Sequence, residues 1–89
     1  MPNQLISYDL RRPGQDYSEL FAAIKSIGNW WHCLDSTWIV RTTLPSTEVR
    51  KRLTAHVDAN DKVLVTALAG DWASLSLDKQ GNDWLRQNV

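Results

Sequence analysis

Ser7-Tyr8-Asp9-Leu10-Arg11-Arg12-Pro13-Gly14 is the stretch of sequence that decides how the chain is arranged. The side chains of residues 4–10 alternate between two sides, which predicts a half-buried strand. Proline removes a backbone donor and glycine opens left-handed backbone geometry, so the strand ends in a turn. The turn leaves a carboxylate, Asp9, and two guanidiniums, Arg11 and Arg12, together at one edge of the fold.

Two helices are predicted downstream of this turn. Asp16 lies at an N-cap position with Glu19 three residues later, which is the spacing of a capping box. Apolar residues then recur at helical intervals, so the pattern predicts a helix over Tyr17 to Ile27. Ser46 is the predicted cap of the second helix, whose inward side chains at steps of four are Val49, Leu53 and Val57.

Three further strands complete the pattern. Residues 30–34 and 37–42 are rich in aromatic and β-branched side chains and flank Asp35-Ser36, which predicts a β-hairpin. Residues 62–68 form a near-continuous apolar run, which predicts a central or well-covered strand. The order strand, helix, strand, strand, helix, strand is the α+β, ferredoxin-like βαββαβ arrangement. Right-handed crossovers place both helices on one face of a four-stranded antiparallel sheet.

The predicted domain organisation is a ferredoxin-like core over residues 1–69 and a C-terminal extension over residues 70–89. The extension carries a short helix at about Asp78 to Gln87, although Gly81 weakens its helical propensity. One face of the predicted sheet has no helices and must be covered. We expect the extension to pack across that open face or onto a second subunit.

Composition limits the functional classes. The 89 residues carry a formal net charge of zero, which argues against a strong nonspecific nucleic-acid binder but leaves room for a local basic patch. The single cysteine forms no internal disulfide, no apolar run approaches the length of a membrane helix, and the N-terminus shows no leader pattern. We expect a cytoplasmic protein that does not enter membranes.

With the elements placed, the chain resembles the small ferredoxin-like proteins of the CRISPR-associated endoribonuclease and virulence-associated D superfamily. The resemblance rests on Ser7-Tyr8-Asp9-Leu10, the apolar residues of the first helix through Gly28, Ser36-Thr37-Trp38-Ile39-Val40 and Asn60-Asp61. A Gly-Asn-Trp-Trp-His segment ahead of Asp-Ser-Thr-Trp is most similar to the SinR-like offshoot of that superfamily. The resemblance implies a homodimer in which the aspartate matching Asp9 is a metal ligand contributed by each subunit.

Asp9 is the candidate catalytic and metal-binding residue. A carboxylate at a strand end suits Mg²⁺, which prefers oxygen ligands and keeps several waters, and two copies across a two-fold axis would form a shared site. The alternative is that Asp9 accepts hydrogen bonds from the following turn or pairs with Arg11 or Arg12. No other acidic residue is an obvious second metal ligand beside Asp9. Asp35 belongs to the hairpin turn, and Asp58 and Asp61 flank the last strand.

The candidate phosphate contacts are the basic residues Arg11, Arg12, Arg50 and Lys51. Arg50 and Lys51, together with Arg52, also fit an ordinary solvated helix face that contacts no phosphate. His32 has a side chain suited to general-base catalysis, but a place within a hairpin strand favours a structural role.

The remaining candidates favour structural roles. His56 fits a helix C-terminus, and Cys33 fits a small packed side chain. The five tryptophans are either a stacking platform for bases or packing residues. We expect Trp38 in the core, and Trp72 and Trp84 as anchors of a dimer interface.

Two functional hypotheses follow. The first is a homodimer that associates with nucleic acid, either RNA or DNA, and has Mg²⁺-dependent ribonuclease (phosphodiesterase) activity. The second is a non-catalytic ferredoxin-like dimer that serves as a protein-interaction or scaffold module.

Overall fold

The computed structural model describes residues 2–10 and 16–89. It contains four strands and three helices in the following chain order: β1 (Asn3–Asp9), α1 (Ser18–Lys25), β2 (Asn29–Leu34), β3 (Thr37–Arg41), α2 (Ser46–Thr54), β4 (Lys62–Ala67) and α3 (Lys79–Asn88).

The four strands form one antiparallel sheet in the order β2-β3-β1-β4. A helix follows β1 and another follows β3, so the α+β class is confirmed and the arrangement is compatible with a ferredoxin-like fold. The predicted hairpin is also confirmed, because β2 and β3 pair across a turn at Asp35 and Ser36. An irregularity in the pairing lies between Trp31 and Leu34.

The prediction of a central or well-covered final strand is wrong. β4 pairs with β1 on one side and forms an edge of the described sheet. Its apolar run serves two different faces: Val63 and Val65 pack against the helix-covered core, whereas Leu64 points to the opposite side and is 60% exposed. The run of apolar residues in β4 therefore packs against the core on the helix-covered face only.

The main core lies between α1, α2 and the sheet face that carries Ile6 and Trp38, which we call the first face. The buried residues of this core are Ile6, Tyr8, Leu20, Ile24, Trp38, Val40, Val49 and Leu53. Trp38 is 2% exposed, as expected from its sequence context, and its indole Nε1 donates to the Tyr8 hydroxyl at 3.0 Å. Burial raises the pKa of Tyr8, although the hydrogen bond from Trp38 opposes the shift.

The two predicted helix caps differ from the observed ones. Helix α1 begins at Ser18 with Tyr17 at the N-cap position. Asp16 lies one residue earlier and accepts from the Ser18 backbone N–H at 2.9 Å, which lowers the pKa of its carboxyl. Ser46 is the first residue of α2 rather than its cap, because its hydroxyl donates to Gln4 Oε1 at 2.8 Å instead of accepting a helical N–H.

The opposite side of the sheet, which we call the second face, carries Leu5, Ile39 and Trp31 in register across three strands. Residues 68–89 lie over part of this face, since they line a cavity together with those three side chains. The structure thus places the C-terminal extension on the sheet of its own chain. The domain boundary between residues 69 and 70 stays a prediction.

Helix α3 matches the predicted helix to within one residue at each end. Asp78 caps it by accepting from the Gly81 N–H at 2.7 Å. Gly81 weakens helical propensity, but its position explains its presence: a Cβ at Gly81 would lie 2.3 Å from Trp31 Cζ2. The absent side chain lets α3 rest directly on the Trp31 indole.

No helix among residues 2–10 and 16–89 combines the length and the apolar character needed to cross a bilayer. The cytoplasmic location stays a prediction.

Candidate functional site

Asp9 is the last residue of β1, and its exposed side chain follows the same alternation as Leu5 and Ser7, which belong to the second face. Its antiparallel neighbour on β4 is Lys62. Asp9, Ser7, Lys62 and Leu64 share a shallow depression at the β1–β4 end of the sheet. The geometry therefore brings a carboxylate and an ammonium to one open surface beside the edge strand.

The described residues contain no group of three or more His, Cys, Asp or Glu side chains that could hold a metal ion. Asp61 is bound elsewhere, because its carboxylate accepts from the Tyr17 hydroxyl at 3.0 Å and from the Asp58 backbone N–H at 2.7 Å. Asp35 lies in the hairpin turn. Mg²⁺ is usually bound through one or two carboxylates and several waters, and Asp9 is the single carboxylate among the described residues that line this depression.

The structure describes two of the four predicted phosphate-contact residues. Arg11 and Arg12 lie outside the described residues. Arg50 and Lys51 are exposed on α2, a helix of the first-face layer, whereas Asp9 belongs to the second face. Their neighbour Arg52 forms an i,i+4 ion pair with Glu48 at 3.7 Å, which is typical of a solvated helix surface.

His32 and Cys33 point to opposite faces of the sheet, as their adjacent strand positions predicted. The His32 ring stacks on Trp38 with 4.0 Å between centroids, and its Nε2 hydrogen-bonds with the Asp35 carbonyl at 3.0 Å. Cys33 lines the second-face cavity, and its thiol donates to the Thr37 carbonyl at 3.3 Å. Burial raises the pKa of that thiol, so the neutral form is favoured.

His56 follows the last turn of α2, and its Nδ1 lies 3.8 Å from the Glu19 carboxylate of α1. This contact links the two helices of the first-face layer. It lies on the helix layer, whereas Asp9 lies at the end of β1 on the second face.

The remaining tryptophans contact their own chain. Trp84 of α3 lies 6.0 Å from Trp31 between ring centroids, and Trp72 lines the second-face cavity. Both are partly buried in this packing. Their role as anchors of a dimer interface stays a prediction.

Trp30 lies at the margin of the first face, where it contacts a second tryptophan and a lysine. Trp30 packs beside Trp38 with 5.2 Å between centroids, and Lys25 Nζ lies 4.9 Å from the Trp30 ring centroid. The ammonium therefore occupies a position suited to a cation–π interaction with that ring.

Sequence reasoning missed the exposed surface of β4. Residues Lys62, Leu64 and Thr66 alternate along the strand and are all exposed on the second face, beyond the part that the C-terminal extension covers. The outer edge of β4 has no strand partner among the described residues, and we call this edge together with these three side chains the β4 surface. The order of the elements along the chain could have indicated this exposure, because the last strand of a βαββαβ arrangement lies at an edge of the sheet.

No protein-family model matches the chain, and no solved structure matches it. The case for a function therefore rests on the geometry described above and on the sequence resemblance.

Proposed function

We propose that this chain is a ferredoxin-like, non-catalytic interaction module that forms a homodimer through the β4 surface. The observation that carries the proposal is Leu64, which is 60% exposed on an edge strand. An edge strand offers unpaired backbone groups to another strand, and natural proteins block such edges with charges, proline or bulges. Lys62 is the only charged residue within β4, and Val63 to Ala67 carry none.

A two-fold axis through the middle of β4 would pair the strand with its own copy in antiparallel orientation. Such an interface is self-complementary, as a dimer of identical chains requires. Two four-stranded sheets would join into one, and the exposed Leu64 side chains would become neighbours on the second face. The C-terminal extensions lie over the other strands of that face, so this pairing leaves them in place.

Sedimentation of the wild type and of two leucine variants tests the proposal. We expect the wild type to sediment as a dimer of 10.2 kDa chains and Leu64→Lys as a monomer, because a charge on an edge strand opposes strand pairing. Leu75→Lys is the matched control, since Leu75 is 91% exposed in the extension and lies outside the β4 surface. A monomeric wild type, or a Leu64→Lys variant that stays dimeric, contradicts the proposal.

The second candidate is a Mg²⁺-dependent ribonuclease of the kind that the superfamily resemblance implies. It is favoured by the exposure of Asp9 at the end of β1, beside Lys62. Asp9 of each protomer would bind the metal, Arg11, Arg12, Arg50 and Lys51 would hold phosphates, and bound Mg²⁺ would stabilise the phosphodiester transition state.

The two candidates need different dimers. Pairing through β4 separates the two β1 strands by three strand spacings, which is about 14 Å. That distance is too long for one Mg²⁺ to join both Asp9 carboxylates, because Mg–O distances are about 2.1 Å. A shared metal site therefore requires a different dimer, one that brings the two copies of Asp9 together.

RNA cleavage with and without Mg²⁺ tests the second candidate. We expect a nuclease to lose cleavage in Asp9→Asn and to keep it in the control Asp35→Asn, which removes an exposed carboxylate from the hairpin turn. Cleavage that persists unchanged in Asp9→Asn removes Asp9 from the mechanism.

A further inference from the structure

A cavity of about 210 Å³ lies between the second face and the C-terminal extension. Its floor is formed by Leu5, Ile39 and Trp31 of three neighbouring strands, and Trp72 of the extension contributes to its wall. The segment between β4 and α3 borders it without forming a helix or a strand. This segment is tied down at its start by the Leu68 N–H, which donates to the Asn3 carbonyl at 3.0 Å.

The size and lining of the cavity set the class of ligand. An apolar cavity of about 150 Å³ stays dry and binds benzene, so the present one admits a larger ring system. Trp31 and Trp72 favour a flat aromatic body, because aromatic rings gain from offset or edge-to-face contact. Small-molecule sites typically combine such apolar walls with a few polar groups that fix orientation.

Asp71 supplies the polar group. Among the described residues that line the cavity it is the only one with a charged side chain, and it is exposed to solvent. A carboxylate at the rim of an apolar cavity complements a protonated amine, which can reach solvent while its ring is buried. The nearby Cys33 thiol adds no competing charge, because burial keeps it in its neutral form.

We propose that this cavity binds a small aromatic cation, with its ring against Trp31 and Trp72 and its ammonium group at Asp71. The proposal is independent of the β4 dimer, since it uses the part of the second face that the extension covers. It assigns the extension a role beyond covering the sheet, because the extension provides both Trp72 and Asp71.

Tryptamine and indole-3-propionate are matched probes with the same ring and opposite charge. We expect a two-dimensional NMR titration of the full chain to show tryptamine binding about tenfold more tightly, because one probe is attracted to Asp71 and the other repelled. The shifted amides should include those of Ile39 and Cys33. Equal affinities of the two probes, or no saturable binding of tryptamine, overturn the proposal.

Cys33 provides a second readout, because it is the single cysteine of the chain. Bound tryptamine should slow alkylation of its thiol by N-ethylmaleimide. Asp71→Asn should weaken tryptamine binding by about threefold, the size expected for an exposed ion pair, whereas the control Asp35→Asn should leave it unchanged. Protection of Cys33 that rises with protein concentration alone would mean that a second copy fills the cavity, and would overturn the proposal.

Discussion

Gly81 of α3 lies close against the Trp31 indole of β2. A Cβ there would lie 2.3 Å from Trp31 Cζ2 and 3.0 Å from Trp31 Cη2. Trp31 also contacts Trp84, so its ring has little freedom to retreat. We expect Gly81→Ala to lower the free energy of unfolding by about 1–3 kcal/mol, the usual cost of overpacking, despite the better helical propensity of alanine. Urea unfolding monitored by tryptophan fluorescence measures this change.

Gly70→Ala is the matched control for that substitution. A Cβ at Gly70 would have no atom within 4 Å, so we expect its effect to stay within about 0.5 kcal/mol. If Gly81→Ala were neutral or stabilising, helix α3 would have to sit further from Trp31 than the structure places it.

Helix α3 is held at its C-terminal end by hydrogen bonds to one row of the sheet. Asn29, Arg41 and Asn3 are cross-strand neighbours, and all three side chains reach Asn88. Asn29 Nδ2 donates to Asn88 Oδ1 at 3.0 Å, and Asn3 Nδ2 donates to the Asn88 carbonyl at 2.7 Å. The Asn88 side chain in turn donates to the Trp84 carbonyl at 2.9 Å, which ties the row to the last helical turn.

We expect Asn88→Ala to destabilise the chain by about 1–2 kcal/mol, because it leaves two donors on the sheet without their acceptor. The loss should be local: hydrogen exchange of the α3 amides should accelerate more than that of the β1 amides. Gln87→Ala is the control, since Gln87 is exposed beside Asn88. Equal acceleration in α3 and β1 would show that the extension and the sheet unfold as one unit.

At the level of elements, the sequence predicted the existence and order of the strands and helices because their periodicities differ. It failed at the helix caps, because Asp16 lies one position before the observed N-cap residue Tyr17 and Ser46 lies one position after the observed N-cap residue Pro45. It also failed at β4, because Val63 and Leu64 are equally apolar and only the strand order shows that they face different environments. The sequence left open whether the tail covers its own sheet or a second subunit, and the structure places it on the second face of its own sheet.

The candidate site was less predictable than the fold. Asp9 at the end of β1 followed from the alternation of residues 4–10, but its neighbour Lys62 is 53 positions away and follows only from the strand register. The cavity between Trp31, Trp72 and Cys33 was likewise beyond sequence reasoning, since those residues were assigned separately to packing or to a dimer interface. Contacts between distant segments depend on tertiary packing that no local pattern encodes.

For the molecule as a whole, the formal net charge of zero makes affinity for nucleic acid a matter of local patches rather than of the overall field. Each phosphate neutralised on a single strand adds about −0.7 to the slope of log affinity against log salt. If the chain is an interaction module, we expect a slope near zero for single-stranded RNA.

If Arg50 and Lys51 each contact a phosphate, they alone contribute a slope of about −1.4, which the double variant Arg50→Gln with Lys51→Gln should remove. Fluorescence anisotropy from 50 to 200 mM salt measures the slope, and Lys79→Gln is the control because that ammonium already pairs with Asp83 at 2.8 Å. A steep slope that survives the double variant would place the phosphate contacts elsewhere and would contradict the interaction-module proposal.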